Sequence, residues 1–207
     1  MVLQIQTVRS PRRGRERTEV DCRTLVRGGD REGAAMVALA CHEAEIFGFL
    51  VAALGSGHVA RDVYARVCDR VRREIGDFGW RCSLRTWMYA VCRVEIRRQP
   101  RAAGTTALPP PAPTADHGPT PTQRCQGSTM EQAIAALRDR LDVEDRALLI
   151  LSVDRGLDLP DLAITGLGEG AASGALRGEA TRIRGELTRI RKELEQAAIE
   201  ERLIDPQ

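Results

Sequence analysis

Apolar residues recur at three- and four-residue steps over most of the chain, the spacing that lines one face of an α-helix. From Gly33 such a stripe takes in Met36, Ala40, Phe47, Leu50 and Leu54, and Gly55-Ser56-Gly57 ends it. The next stripe, Val59, Val63, Val67, Val71 and Ile75, leaves Arg61, Arg66, Arg70, Arg72 and Arg73 on the outer face. Valine is a poor helix former, so tertiary packing has to hold this helix. Ser83 is a good N-cap for a third helix with Leu84, Trp87, Met88 and Val91 facing inward. That helix runs out at Arg97-Arg98-Gln99-Pro100, where proline stops it.

From Arg101 to Gly127 the chain turns to Pro, Ala, Thr and Gly, including Pro109-Pro110-Pro111, and reads as a partly extended linker. Periodicity returns at Ser128-Thr129-Met130-Glu131, a capping box opening a helix with Met130, Ile134, Leu137 and Leu141 in its stripe. Asp142 caps a further helix, Val143 to Val153, whose Ala-Leu-Leu-Ile-Leu centre has to be almost wholly buried, and Gly156 closes it. A short helix follows around Pro160 to Ile164, then the turn Gly166-Leu167-Gly168-Glu169-Gly170 and a last helix from about Ala175 to Ala198. A helix, a glycine-containing turn and a longer basic helix make a helix-turn-helix pattern. The expected fold is all-α, with small helical domains at residues 33–100 and 128–198 joined by a linker at 101–127. Residues 1–32 show no apolar periodicity and are expected to be a mobile basic extension, and 199–207 a tail.

Composition adds three points. Every aromatic residue lies between Phe47 and Tyr89, so the C-terminal half has to build its core from Leu, Ile, Val and Ala, which suits helices packed on helices. The formal net charge is +2, so affinity for nucleic acid has to come from local clusters rather than a global excess. Lys192 is the lone lysine among the basic residues, and planar arginine forks suit phosphate and base contacts. The cysteines, Cys22, Cys41, Cys68, Cys82, Cys92 and Cys125, form no C-x-x-C pair and match neither a zinc site nor a disulfide framework. Reduced thiols, no signal-peptide core and no bilayer-length apolar run lead to the expectation of a cytoplasmic protein without membrane contact. His42, His58 and His117 have no evident nucleophile or carboxylate partner, and the glycines of 166–174 lack the lysine of a phosphate loop. No enzyme, metal or cofactor is expected.

The run Phe78-Gly79-Trp80-Arg81-Cys82-Ser83-Leu84-Arg85-Thr86-Trp87-Met88-Tyr89 joins an aromatic loop to an arginine-bearing helix. Rings beside guanidinium groups suit unpaired bases, which stack while arginines hold phosphates. The run resembles the second conserved region of extracytoplasmic-function (ECF) sigma factors, typically F-R-G-E-S-S-F-R-T-W-L-Y, which Phe78, Ser83, Arg85, Thr86, Trp87 and Tyr89 match without a gap. The last helix and the segments before it are similar to the fourth region, G-L-S-Y-E-E-I-A, a turn, then T-V-K-S-R-L-H-R-A-R-x-x-L. Gly156-Leu157, Leu162-Ala163, Arg182, Arg184 and Leu187 match it, with Arg177 at its lysine. Asp142 to Leu149 is similar to the family's L-P-x-x-x-R-x-V-L-L.

The resemblance implies a sigma factor that binds core RNA polymerase and directs promoter recognition and transcription initiation, possessing an optional anti-sigma partner. It implies DNA contacts for Trp80, Arg85, Arg93, Arg97, Arg98, Arg177, Arg182 and Arg184, and polymerase contacts for Asp62, Arg66 and Asp69. Trp80 has a second reading, as a half-buried ring covering the three-helix core. The alternative for the whole chain is a degenerate sigma-like interaction protein that regulates through protein contacts. Arginines at clamp-facing acidic positions, Gly178 and Gly185 inside the proposed recognition helix, and Glu179 at a usual arginine position support it.

Overall fold

The structure is a computed structural model that describes residues 11–99 and 135–200. Among these residues all regular structure is helical, in two groups of helices on either side of residues 100–134. The first group holds α1 (Pro11–Arg27), α2 (Arg31–Leu54), α3 (Gly57–Glu74) and α4 (Leu84–Arg97). The second holds a helical segment at 135–139, then α5 (Val143–Leu149), α6 (Leu159–Leu167) and α7 (Ser173–Glu200). The linker expected at 101–127 and the capping box at 128–131 lie outside the described residues.

The helix starts follow local chemistry. Asp30, Ser56, Ser83, Asp142 and Asp158 are the N-caps, and each side chain accepts a hydrogen bond from the amide three residues on. Gly55 and Gly156 take positive φ at the ends of α2 and of the helical segment that begins with α5. That segment does not finish as an α-helix: Ile150–Asp154 widens into a π-helical turn, with Arg155 donating its amide to the Ile150 carbonyl at 3.0 Å. The guanidinium of Arg146 reaches back to the carbonyls of Arg138, Asp139 and Leu141 at 2.8–3.1 Å, satisfying orphan acceptors where the 135–139 helix ends.

Two sequence expectations change. The segment before residue 33 contains α1, packed along α2 with Thr18 and Cys22 buried. The Cys22 thiol donates to the Ala34 carbonyl at 3.5 Å, and the Thr18 hydroxyl to the Cys41 sulfur at 3.4 Å. A threonine and a cysteine carry the contact, so counting strongly apolar residues finds no stripe there. On α2 the buried face includes Ala35, Ala38, His42, Ile46, Phe49, Ala53 and the expected Leu50, whereas Met36 and Ala40 point outward. Small alanines let α1 and α3 approach closely, and packing selected them over the larger methionine.

By length and composition α2 could cross a bilayer, although Glu43 and Glu45 interrupt its apolar run. Here it is the central helix, and α1, α3, α4 and α5 all pack against it. Its neighbour α3 buries Val63, Val67 and Val71 as its four-residue spacing predicts, with Val59 at the exposed margin. The stripe on α7 is also used internally. Ile183 and Ile190 have no exposed surface, and Leu176, Ala180, Leu187 and Leu194 pack beside them against α5 and α6.

The two groups touch along α4. Every residue from Thr86 to Arg93 is buried, which a helix covered on one side does not achieve. α2 and α3 cover one side of α4, and α5 and α6 the other.

Candidate nucleic-acid interface

The loop between α3 and α4 begins with a 3-10 turn at Ile75–Asp77 and ends at the Ser83 cap. Phe78 is buried, with its ring 4.9 Å from Trp87 in a stacked pair and 4.5 Å from Trp80. Trp80 takes φ +58°, the one described non-glycine residue with positive φ. Such a conformation costs a non-glycine residue of order 1–3 kcal/mol unless its surroundings hold it. They do so from two sides. The Arg23 guanidinium of α1 lies 4.9 Å over the Trp80 ring. The Glu169 carboxylate of the second group accepts the amides of Gly79 at 2.6 Å and Arg81 at 3.2 Å. A second carboxylate, Glu19, accepts the Leu84 amide at 3.1 Å. Trp80 is half-buried.

The arginines of α4 are engaged inside the molecule. Arg85 donates through Nε to Glu45 at 2.7 Å and through Nη2 to the Arg155 carbonyl at 3.0 Å, joining α2 to the π-helical end of the α5 segment. Glu45 also accepts the Tyr89 hydroxyl at 3.0 Å and lies 3.7 Å from His42 Nδ1. The His42 contact, opposed by burial, and then the bonds from Arg85 hold the Glu45 carboxyl well below the usual carboxylate range.

Arg93 was expected to face solvent and DNA, yet its side chain is 3% exposed. It donates to the Thr165 hydroxyl at 3.0 Å and reaches Glu144 at a long 3.5 Å, while its Nε has no partner. Burial first, then the like charge of Arg97, pulls its pKa down. Arg97 pairs with Glu144 at 3.2 Å and donates to the Gly166 carbonyl at 3.3 Å. In this arrangement Arg85, Arg93 and Arg97 bind the second helical group, with Arg93 buried at the contact and Arg97 part-exposed at its edge.

Arg98 is largely exposed and pairs with Glu95 at 3.0 Å. Glu95 itself is buried and also receives Arg66 at 3.5 Å and Arg70 at 3.1 Å. Three guanidinium groups thus surround one carboxylate, which fixes Arg66 and Arg98 while leaving both part-exposed. Asp62 and Asp69 share the outer face of α3. Asp62 lies 3.6 Å from His58 and Asp69 3.4 Å from Arg72, and both are well exposed. The residues expected to meet polymerase therefore lie on one accessible face.

On α7 the arginines divide. Arg182 pairs with Glu179 at 2.8 Å and with Glu186. Arg177 and Arg184, seven residues apart and so on one face, are exposed and pair with no acid among the described residues. Gly178 and Gly185 have open space where a side chain would stand, leaving that face flat.

The residues that sequence inspection missed are carboxylates, Glu45, Glu95, Glu144 and Glu169, and with them the reach of Glu179 toward the first group. Glu144 and Glu169 meet the first helical group across 47 to 90 residues, and Glu45 meets Arg85 and Tyr89 within that group 40 and 44 residues on, so no local spacing announces them. Glu179 had a signal, since it stands where the resembled pattern usually carries an arginine. It helps hold the field around Arg93 and Arg97, and its own carboxyl is lowered, first by Arg182 and further by those two arginines. Gly166 makes room for it: a Cβ there would meet Glu179 Oε1 at 2.6 Å. No group of three or more His, Cys, Asp or Glu able to hold a metal occurs among the described residues. No family model matches the chain, and no curated protein matches it.

Proposed function

We propose that this protein is a divergent ECF-type sigma factor, binding core RNA polymerase through the outer face of α3 and promoter DNA through the Trp80 loop and α7. The observation that carries this reading is the ungapped resemblance over Phe78 to Tyr89. Its aromatic loop leads into a capped helix and keeps Trp80 part-exposed. The α6–α7 pair supports it further: a short helix, a glycine turn and a long helix with Arg177 and Arg184 exposed in its N-terminal half. Exposed arginines in the N-terminal half of such a helix suit major-groove phosphates and guanine edges. Asp62, Arg66 and Asp69 would form the polymerase contact.

A second reading, a sigma-like protein that acts through protein contacts alone, is favoured by one feature: Arg85, Arg93 and Arg97 are tied to the second helical group. Self-association through the α7 stripe has less support, because Ile183 and Ile190 are already spent on the chain's own core.

The deciding experiment is co-elution of the purified protein with core RNA polymerase of the same species, beside an Asp62→Arg control. Stable co-elution, lost in the control, is the expected result. No co-elution by a folded protein would overturn the sigma reading and leave the interaction protein in its place.

A further inference from the structure

The acids at the junction between the two helical groups share a property: each meets a group that would also bind a phosphate. Glu169 sits on two backbone amides that flank Trp80, a concave donor pair of the kind that holds anions. Arg81 at the edge of this pair is exposed and joins no ion pair among the described residues. Glu144 sits between the guanidinium groups of Arg93 and Arg97, and Glu179 approaches the same two charges from α7. Carboxylate and phosphodiester oxygens are both anionic acceptors for amide and guanidinium donors, so one can replace the other.

The junction is also incompletely bonded. Arg93 is buried with Nε unpartnered, and Glu144 Oε1 is buried without a donor. A buried charge with partial compensation favours release when a better partner or water is offered.

Building on the nucleic-acid reading above, we propose that the Gly79–Arg81 loop together with Arg93 and Arg97 forms a binding surface for the phosphodiester backbone of single-stranded nucleic acid. In the closed molecule Glu144, Glu169 and Glu179 occupy that surface in the ligand's place. The second helical group thus acts as an internal competitor. Nucleic acid binds the first group by displacing these acids and separating α4 from α5 and α6, and its apparent affinity is reduced by the fraction of molecules that are closed.

The test uses the full chain and a fluorescein-labelled single-stranded 20-mer DNA, read by anisotropy at fixed salt. The Glu144→Gln, Glu169→Gln, Glu179→Gln triple variant is compared with wild type. A second triple variant, Glu16→Gln, Glu43→Gln, Glu195→Gln, removes the same charge from exposed sites away from the junction. Hydrogen exchange at the Gly79 and Arg81 amides and tryptophan fluorescence report the junction and the fold separately.

The junction variant is expected to bind at least about tenfold more tightly than wild type, as removal of a competitor that keeps nine molecules in ten closed requires. The control triple should gain far less, and the two amides should exchange faster in the junction variant alone. Equal gains in both triples, or none in the junction variant while its amides exchange freely, would overturn the internal competitor and leave the nucleic-acid reading standing. Unchanged amide exchange in a folded junction variant would likewise overturn it. Absence of DNA binding by all three proteins would overturn the nucleic-acid reading, and the inference with it.

Discussion

Helix α4 carries three arginines and helix α7 five, and most of them meet different fates. On α4, Arg85, Arg93 and Arg97 turn inward to Glu45, Thr165, Glu144 and backbone carbonyls. On α7, Arg177 and Arg184 remain in solvent, while Arg182 is paired along its own helix. The difference lies in the number of faces covered. α7 is packed along one stripe and keeps a free side, whereas α4 lies between two groups of helices and keeps almost none. An arginine on a helix is therefore a surface residue only as far as tertiary packing leaves it a surface.

The same contrast ranks the expected effects of substitution. The largest belong to the covered stripe of α7. Ile183→Ala should lower the unfolding free energy by about 2–5 kcal/mol in urea denaturation, because a fully buried isoleucine leaves a cavity. Leu176→Ala, at the half-buried start of that stripe, should cost clearly less. Equal losses would mean that the stripe does not pack as described.

Next comes the Glu45 cluster. Glu45→Ala leaves Arg85 and Tyr89 without their acceptor and should cost about 2–3 kcal/mol, as expected for charged hydrogen bonds that are largely buried. Asp62→Ala, an exposed acid beside an exposed histidine, should stay within about 0.5 kcal/mol. The Glu45 difference should depend on pH. Its folded pKa is depressed, so its contribution is complete above the unfolded value of about 4.3 and is lost as pH falls below that, where the unfolded chain binds the extra proton. Denaturation midpoints of wild type and Glu45→Ala should converge on acidification. A gap that stays unchanged between pH 6 and pH 3 would contradict the lowered pKa.

Smaller effects are expected at the caps. Asp142→Ala removes the acceptor of the Asp145 amide and should cost about 1 kcal/mol. The smallest stability changes belong to the free arginines. Arg177→Ala and Arg184→Ala should each shift stability by under about 0.5 kcal/mol, yet each should reduce the salt slope of duplex DNA binding by about one unit if it holds a phosphate. An unchanged slope would remove them from the DNA contact.

Local chemistry made much of the helical pattern readable. Ser83 and Asp142 act where their spacing to the following helix says they should, and Val63, Val67 and Val71 face inward as written. The failures share a cause. Thr18 and Cys22 bury a helix that lacks large apolar residues, and alanines displace Met36 from the packed face of α2. Both depend on how closely neighbouring helices approach, a tertiary property. The junction was unreadable for the same reason. Glu144 and Arg97 are 47 residues apart, and Glu169 and Gly79 are 90 apart, so nothing in the local pattern pairs them.

Whether α4 truly joins the two groups can be measured in one unfolding experiment. Trp80 and Trp87 are the two tryptophans of the chain, and both belong to the first group, so their fluorescence in urea follows that group. Hydrogen exchange of the α5–α7 amides at the same urea concentrations follows the second. With α4 buried by both, the two curves should superpose with one midpoint. Two separate transitions, with the second group unfolding while the tryptophan signal holds, would contradict the account.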